Sequence, residues 1–252
     1  LKERSEVGSE EFILIYSSLA ETYHWMGRSI DAAVYIDSAA YFSKKHNLEL
    51  SQESAALYMI AAKIFLPSDI EKASTNCEKS IKILQNSKSN QTQLADAYNI
   101  MGRIKEQKKD FDGAIEYYQK TLEIFLNRYG EKSIQVSRVL VNVARIKYKQ
   151  KDFDGAIEYY QNAAKSQNYK DDNDFTAVSQ IYELIAIFNG IGKCNRMANS
   201  QQNNKVSSRY LSDVKKYTES SILAIDYHLS HMKSSLGDNV IENFRSVIAQ
   251  AI

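Results

Sequence analysis

The chain has 252 residues, 44% of them hydrophobic and 25% charged, the balance of a foldable chain rather than a disordered one. Lysine and arginine total 32 against 31 acidic residues, so bulk charge favours neither nucleic acid nor an anionic membrane as partner. One proline and nine glycines are few breakers for this length, which favours helices joined by short turns and predicts an all-α fold.

The chain opens on Leu1 rather than Met and has no signal-peptide pattern. No apolar run reaches the roughly 18 residues that a membrane helix needs, so no membrane insertion is expected. Cys77 and Cys194 lack the spacing of a disulfide framework or a metal site. The chain therefore reads as a piece of a longer protein in a reducing, cytoplasmic compartment, with Cys77 as a small core residue.

In chain order, apolar residues recur at helical spacing over 13–46 and again over 54–86, each read as a helix pair. The third pair, 94–130, is the clearest. Tyr98, Met101 and Gly102 share one side of its first helix. Gly102, lacking a side chain, lets another backbone come close. Then follows KDFDGAIEYYQ, Lys109 to Gln119, with Phe111, Ala114, Ile115 and Tyr118 at i, i+3, i+4 and i+7, one face of an α-helix. Asp110 suits an N-cap, and Asp112 puts charge in the first turn, where the helix dipole favours it. The pattern runs through Leu122, Ile124 and Phe125 to Tyr129, and Gly130 offers a left-handed stop. The same eleven letters return at Lys151 to Gln161, forty-two residues later. An identical undecamer at a fixed offset is an internal repeat. The fourth pair spans 136–168 and a fifth spans 178–232. Within the fifth, 190–209 is rich in Asn, Gln and Ser and reads as a loose insertion. Residues 240–252 carry Ile241, Phe244 and Ile248 on one face, the first helix of a partial sixth unit.

The units share a register. The third reads Tyr98, Met101-Gly102, Ala114, Tyr118, Thr121, and the fourth Leu140, Val143-Ala144, Ala156, Tyr160, Ala163. The first reads Tyr16, Leu19-Ala20, Ala32, Ile36, Ala39, and the second Leu57, Ile60-Ala61, Ala73, Cys77, Ser80. A fifth begins Tyr182, Ile185-Ala186. Ala20, Ala61, Gly102, Ala144 and Ala186 are 41, 41, 42 and 42 residues apart. This register resembles the tetratricopeptide repeat. The usual repeat is about 34 residues long, so this period adds about two helical turns. With the Tyr129-Gly130 break, the longer period resembles the repeats of kinesin light chains. Lys105 and Lys147 depart from the pattern, standing where the family often has an aromatic. The resemblance implies a right-handed superhelical solenoid of antiparallel helix pairs over 1–252, built by stacking units that cannot bury their apolar faces alone.

Candidate chemistry is sparse. His228 and His231 with Asp226 lack a third ligand, so no metal is expected. His24 and His46 read as structural. Asp171-Asp172-Asn173-Asp174 lacks the glycine and distal glutamate of a calcium loop and reads as a turn. Asn90-Gln91-Thr92 fits a glycosylation triplet but reads as idle. No phosphate loop, dinucleotide fingerprint or catalytic constellation is present, so neither a cofactor nor an enzyme is expected.

In such solenoids the first helix of each pair lines the concave surface. Arg103 and Arg145 hold the same repeat position, one past the small residue. Asn99 and Asn142 lie near the same face one turn earlier, and Arg138 and Lys149 extend the stripe. An ordinary solvated helix face would look the same. The functional expectation is a groove for a protein or an acidic, extended peptide, with the two arginines about 10 Å apart. The resemblance implies a non-catalytic interaction scaffold, a cargo or partner adaptor; the alternative is a peptide-sensing regulatory module of a larger signalling protein.

Overall fold

The computed structural model describes residues 8–86 and 90–166, with Gly190 and Met197. The rest of the expected fifth repeat (178–232), the partial sixth (240–252), the Asp171–Asp174 run, Cys194 and the His228/His231 pair lie outside the described residues. Among the described residues the elements are eight helices: α1 (Ser9–Trp25), α2 (Ser29–Lys45), α3 (Gln52–Phe65), α4 (Ile70–Gln85), α5 (Gln91–Gln107), α6 (Phe111–Tyr129), α7 (Ile134–Lys149) and α8 (Phe153–Lys165). The fold is all-α, as expected. By its internal contacts the chain falls into two compact units, 1–128 and 129–252, each described by itself below. Gly130 holds a φ of 76°, the left-handed stop its position suggested.

The repeat register decides what is buried. In the first unit Ala20, Ala32 and Ala39 of the first pair, and Ala61, Ala73 and Cys77 of the second, are 0 to 1% exposed. In the third pair Gly102, Ala114, Tyr118 and Thr121 are buried. The second unit repeats this with Ala144, Ala156, Tyr160 and Ala163. Small residues at these positions let α1 pack on α2, α3 on α4 and α7 on α8 at close range.

At Gly102 the close neighbour is an aromatic ring rather than a backbone. A Cβ there would lie 2.6 Å from Tyr118 Cε1. The Tyr118 ring is fully buried, and its hydroxyl donates to Glu106 Oε2 at 3.2 Å. Hydroxyls also tie first helices to second ones. Thr121 Oγ1 donates to the Ala95 carbonyl at 3.2 Å. In the second unit Ser137 Oγ donates to the Ala163 carbonyl at 2.9 Å. Thr121 and Ala163 are one repeat apart, as are Ala95 and Ser137, so the same two positions bond with the donor on the opposite helix.

The undecamer encodes the turn inside each pair. Lys109 and Lys151 have φ of 61° and 65°. The next N–H reaches back five residues, Asp110 to the Lys105 carbonyl and Asp152 to the Lys147 carbonyl, both at 2.9 Å, the long bond of a Schellman ending. The aspartates then cap the next helix, accepting from the Gly113 and Gly155 N–H at 3.0 Å. A Cβ on either glycine would lie 2.5 Å from the capping carboxylate, which is why glycine stands inside these helices. The same carboxylates pair with Lys105 Nζ at 2.8 Å and Lys147 Nζ at 3.0 Å. The two lysines that depart from the family pattern therefore brace the turn. In the first repeat the same two positions are Tyr23 and Arg28, with the guanidinium 4.7 Å over the ring.

Gly190, expected to open the loose insertion, is helical and lies tight against the Tyr160 ring. Met197 is also helical. Of that stretch only these two residues are described, and neither is loose coil.

Two stability measurements follow from this packing. Gly102→Ala gains helix propensity of about 1 kcal/mol, but overpacks a pinned ring, an effect of about 1–3 kcal/mol. Urea denaturation should show a net loss, and Ala114→Leu should lose stability in the same range; a stabilised Gly102→Ala variant would contradict the contact. The second measurement concerns acid. Bonding to Lys147, then to the Gly155 N–H, holds the Asp152 carboxyl below its ordinary value. A depressed folded value gives stability that is complete above the unfolded value and is lost as pH falls through the folded one. Asp152→Asn keeps a cap but cannot titrate, so its acid limb should be shallower between about pH 4 and 2; parallel limbs in wild type and variant would remove the carboxylate's role.

Candidate partner-binding surface

On α5, Asp96, Asn99 and Arg103 fall at i, i+3 and i+7, one face of the helix. Asp96 and Arg103 are exposed and Asn99 is half-buried. Lys63 of α3 joins this neighbourhood. Its Nζ lies 3.3 Å from Glu21 Oε1 of α1, and its charge pulls the Asp96 carboxyl down. Desolvation is the larger influence and raises Asp96 above the ordinary carboxylate value. Its surface is open to solvent, yet the crowding of neighbouring protein outweighs Lys63. The first unit thus presents mixed charge on its first helices: Glu21, Lys63, Asp96 and Arg103.

On α7, Arg138, Asn142, Arg145 and Lys149 fall at i, i+4, i+7 and i+11. Arg138, Arg145 and Lys149 are exposed and Asn142 is half-buried. The position of Arg138 is that of Asp96 one repeat earlier, so basic charge concentrates on α7. Asn99 and Asn142 are not repeat equivalents. Asn99 corresponds to Val141, 9% exposed, and Asn142 to Ile100, 3% exposed. The one-residue offset places the two amides differently on their helices. The six sequence-predicted residues divide between the units, Asn99 and Arg103 in the first and the other four in the second. Asn99, Arg138, Asn142, Arg145 and Lys149 each already have a neighbour within the chain, so a ligand must add to or exchange with those contacts. Asp96 was missed in the sequence reading, although comparing position 138 with its counterpart one repeat earlier exposes it.

The remaining candidates resolve as structural. Cys77 Sγ sits 3.3 Å from the Ala97 carbonyl, and burial pushes its thiol up to about 12, which leaves it inert as a nucleophile. His46 stacks on Phe42 at 6.3 Å. The Asn90 amide nitrogen is buried, which closes the glycosylation triplet to a glycan. Among the described residues no three His, Cys, Asp or Glu side chains group to hold a metal. No described helix is long and apolar enough to cross a membrane.

Residues 93–168 match the family model of the tetratricopeptide repeat. These residues are tetratricopeptide repeats. The chain is also 27% identical over 141 residues to a protein of Arabidopsis thaliana called kinesin light chain-related 3. The match covers 50% of this chain and 22% of that protein, so the chain spans a minor part of the relative's length. Among solved structures, BtubC (BKLC) from P. vanneervenii superposes with a TM-score of 0.62 at 20% identity, covering 82% of this chain and 79% of that one. The apo form of RapI gives a TM-score of 0.63 at 16% identity, covering 94% and 83%. At these identities the likeness is one of fold, a tetratricopeptide-type helical solenoid. The recognition carried by Tyr98, Met101-Gly102, Ala114 and Tyr118 is borne out.

The electrostatics of α5 can be checked directly. An NMR titration should find the Asp96 carboxyl above the ordinary value of about 3.9, and Lys63→Met should raise it further, because the lysine pulls it down. A downward shift in Lys63→Met would show that Lys63 does not act on this carboxyl.

Proposed function

We propose that this chain is a non-catalytic scaffold that takes a partner protein, through an acidic extended segment, on the first-helix face of its repeats. The observation that supports this is α7, where Arg138, Arg145 and Lys149 stand on one face with no acidic residue among them. A helix rises 1.5 Å per residue, so Arg138 and Arg145 are about 10 Å apart along the axis. A segment extended as polyproline II advances about 3.1 Å per residue and returns to the same face every third residue, so carboxylates three residues apart match that spacing. Asn142, between them, both donates and accepts and suits a peptide backbone. In the first unit Arg103 and Asn99 share their face with Asp96, so that unit favours a segment of mixed charge. Likeness to the kinesin light chain-related protein supports a cargo or partner adaptor acting in the cytoplasm, with protein rather than nucleic acid as ligand.

The test uses fluorescein-labelled extended peptides carrying glutamate, or lysine as control, at every third position. The acidic peptide should bind better, and its binding should weaken with salt as the Debye length falls to about 8 Å at 0.15 M. Arg138→Glu with Arg145→Glu should weaken it by about tenfold or more, with circular dichroism confirming the fold and Arg103→Glu costing less. Unchanged binding by the folded double variant would move the partner off this face.

A further inference from the structure

The first helices share a seam that α1 leaves open. The position of Leu19 is Ile60 in α3, Met101 in α5 and Val143 in α7. That of Ile15 is Ala97 in α5 and Val139 in α7, and that of Thr22 is Ile104 and Ile146. All of these are buried. In the first unit the cover is helical, because α3 packs against α1 and α2, and α5 against α3 and α4. On α1 the same positions face solvent, with Ile15 at 48% and Leu19 at 37% exposure.

The open face is broad and apolar. At 3.6 residues per turn, Leu14, Ile15, Leu19, Trp25 and Met26 fall within about 140° of the helix. Trp25 is 82% exposed, Met26 63% and Leu14 45%. Polar groups among them are already bonded. Thr22 Oγ1 donates to the Ser18 carbonyl at 2.8 Å, and Glu11 Oε2 accepts from the Gly8 N–H at 3.0 Å. Covering the face therefore leaves neither group without a partner. A contiguous apolar face of this kind marks an interaction surface.

We propose that this face docks a second copy of the chain, with the two α1 helices antiparallel about a two-fold axis level with Ala20. An isologous contact must be self-complementary, and this register is. Leu14 of each copy comes level with Trp25 of the other, and Ile15 with Met26, each pair on its own side of the contact. At the crossing Ser18 meets Thr22, and Leu19 meets its counterpart. Bulk thus lies at both ends, and the small pair sits where the helices come closest. The overlap runs from Leu14 to Met26, about 18 Å, and holds all five apolar residues. Antiparallel helices also oppose their dipoles favourably. At these exposures the five side chains offer roughly 1,200 Å² across two copies, the lower bound of a specific, stable interface, so the dimer is weak and concentration-dependent. An unrelated helix would have to supply this pattern of bulk, which the chain already carries.

Sedimentation velocity over a concentration series should carry the wild-type chain from monomer to dimer. Ile15→Glu with Leu19→Glu sets like charges across the axis and should raise the dissociation constant about tenfold or more. Tyr41→Glu, on α2, should leave it unchanged. Circular dichroism establishes that each variant folds. Disulfide trapping tests the register, in a background of Cys77→Ala and Cys194→Ser. Ser18→Cys chains mixed with Thr22→Cys chains should cross-link under mild oxidation faster than either chain alone, since the two positions meet within the roughly 7 Å that a disulfide spans. A wild type that stays monomeric throughout, whatever helix then binds this seam, would overturn the proposal. So would a dimer indifferent to Ile15→Glu with Leu19→Glu, or a mixture that links no faster than its components.

Discussion

Everything in this fold depends on two helices being allowed to come close. The allowance is steric. Ala20 and Ala32 in one pair, and Ala61 and Ala73 in the next, are buried, and their methyl groups do little to hold the packed helices apart. Close packing then brings many weak contacts into range at once, which is how interiors reach crystal-like density. At Gly102 the space released is taken by the Tyr118 ring, which a Cβ there would meet at 2.6 Å. The position stays buried across repeats while the residue filling it varies: Ile36, Cys77, Tyr118 and Tyr160.

The turn within each pair is the second constraint, and it works through a single carboxylate. Asp110 and Asp152 each end one helix with their own N–H, begin the next with their side chain, and hold a lysine from the helix just ended. Three demands on one residue account for the aspartate, and the cap it forms for the glycine, that the two undecamers share. Relaxing any of its neighbours has a consequence: a Cβ at the glycine would strike the carboxylate, and a different residue for lysine would leave it unpaired. The first repeat meets the same need with Tyr23 and Arg28, a cation on a ring instead of a cation on an anion. The position is fixed by geometry, and the interaction that fills it is free to change.

Much of this was legible from residue types alone, because burial of a small residue at fixed spacing is a one-dimensional signal. Asp110 as a cap, Gly130 as a stop and Cys77 as core were all readable for that reason. Contacts that depend on where a side chain points were not. The tight partner of Gly102 could have been a backbone or a ring, and only the packed pair shows the ring. At the candidate surface the arginines were found by register, but the pairing of Asn99 with Asn142 was drawn one residue out of register, and Asp96 was overlooked. Buried positions constrain one another strongly, whereas exposed ones carry little pattern to correct an error.

The exposed positions become informative when the repeats are read against each other. Four copies of one helix pair in one chain form an internal comparison in which the fold is held constant. Where the copies agree, as at Ala32, Ala73, Ala114 and Ala156, the residue serves the fold. Where they disagree at an exposed position, packing cannot be the reason. By this criterion Arg138 against Asp96 and Ile30 against Glu71, Asp112 and Asp154 stand apart from the scaffold. The first difference gives α7 a uniformly basic face, and the second gives α2 an apolar one. The two lie on different helices of different pairs, and on opposite members of the pair, a first helix and a second. A chain built this way can vary its exposed positions from repeat to repeat without disturbing the seam that folds it.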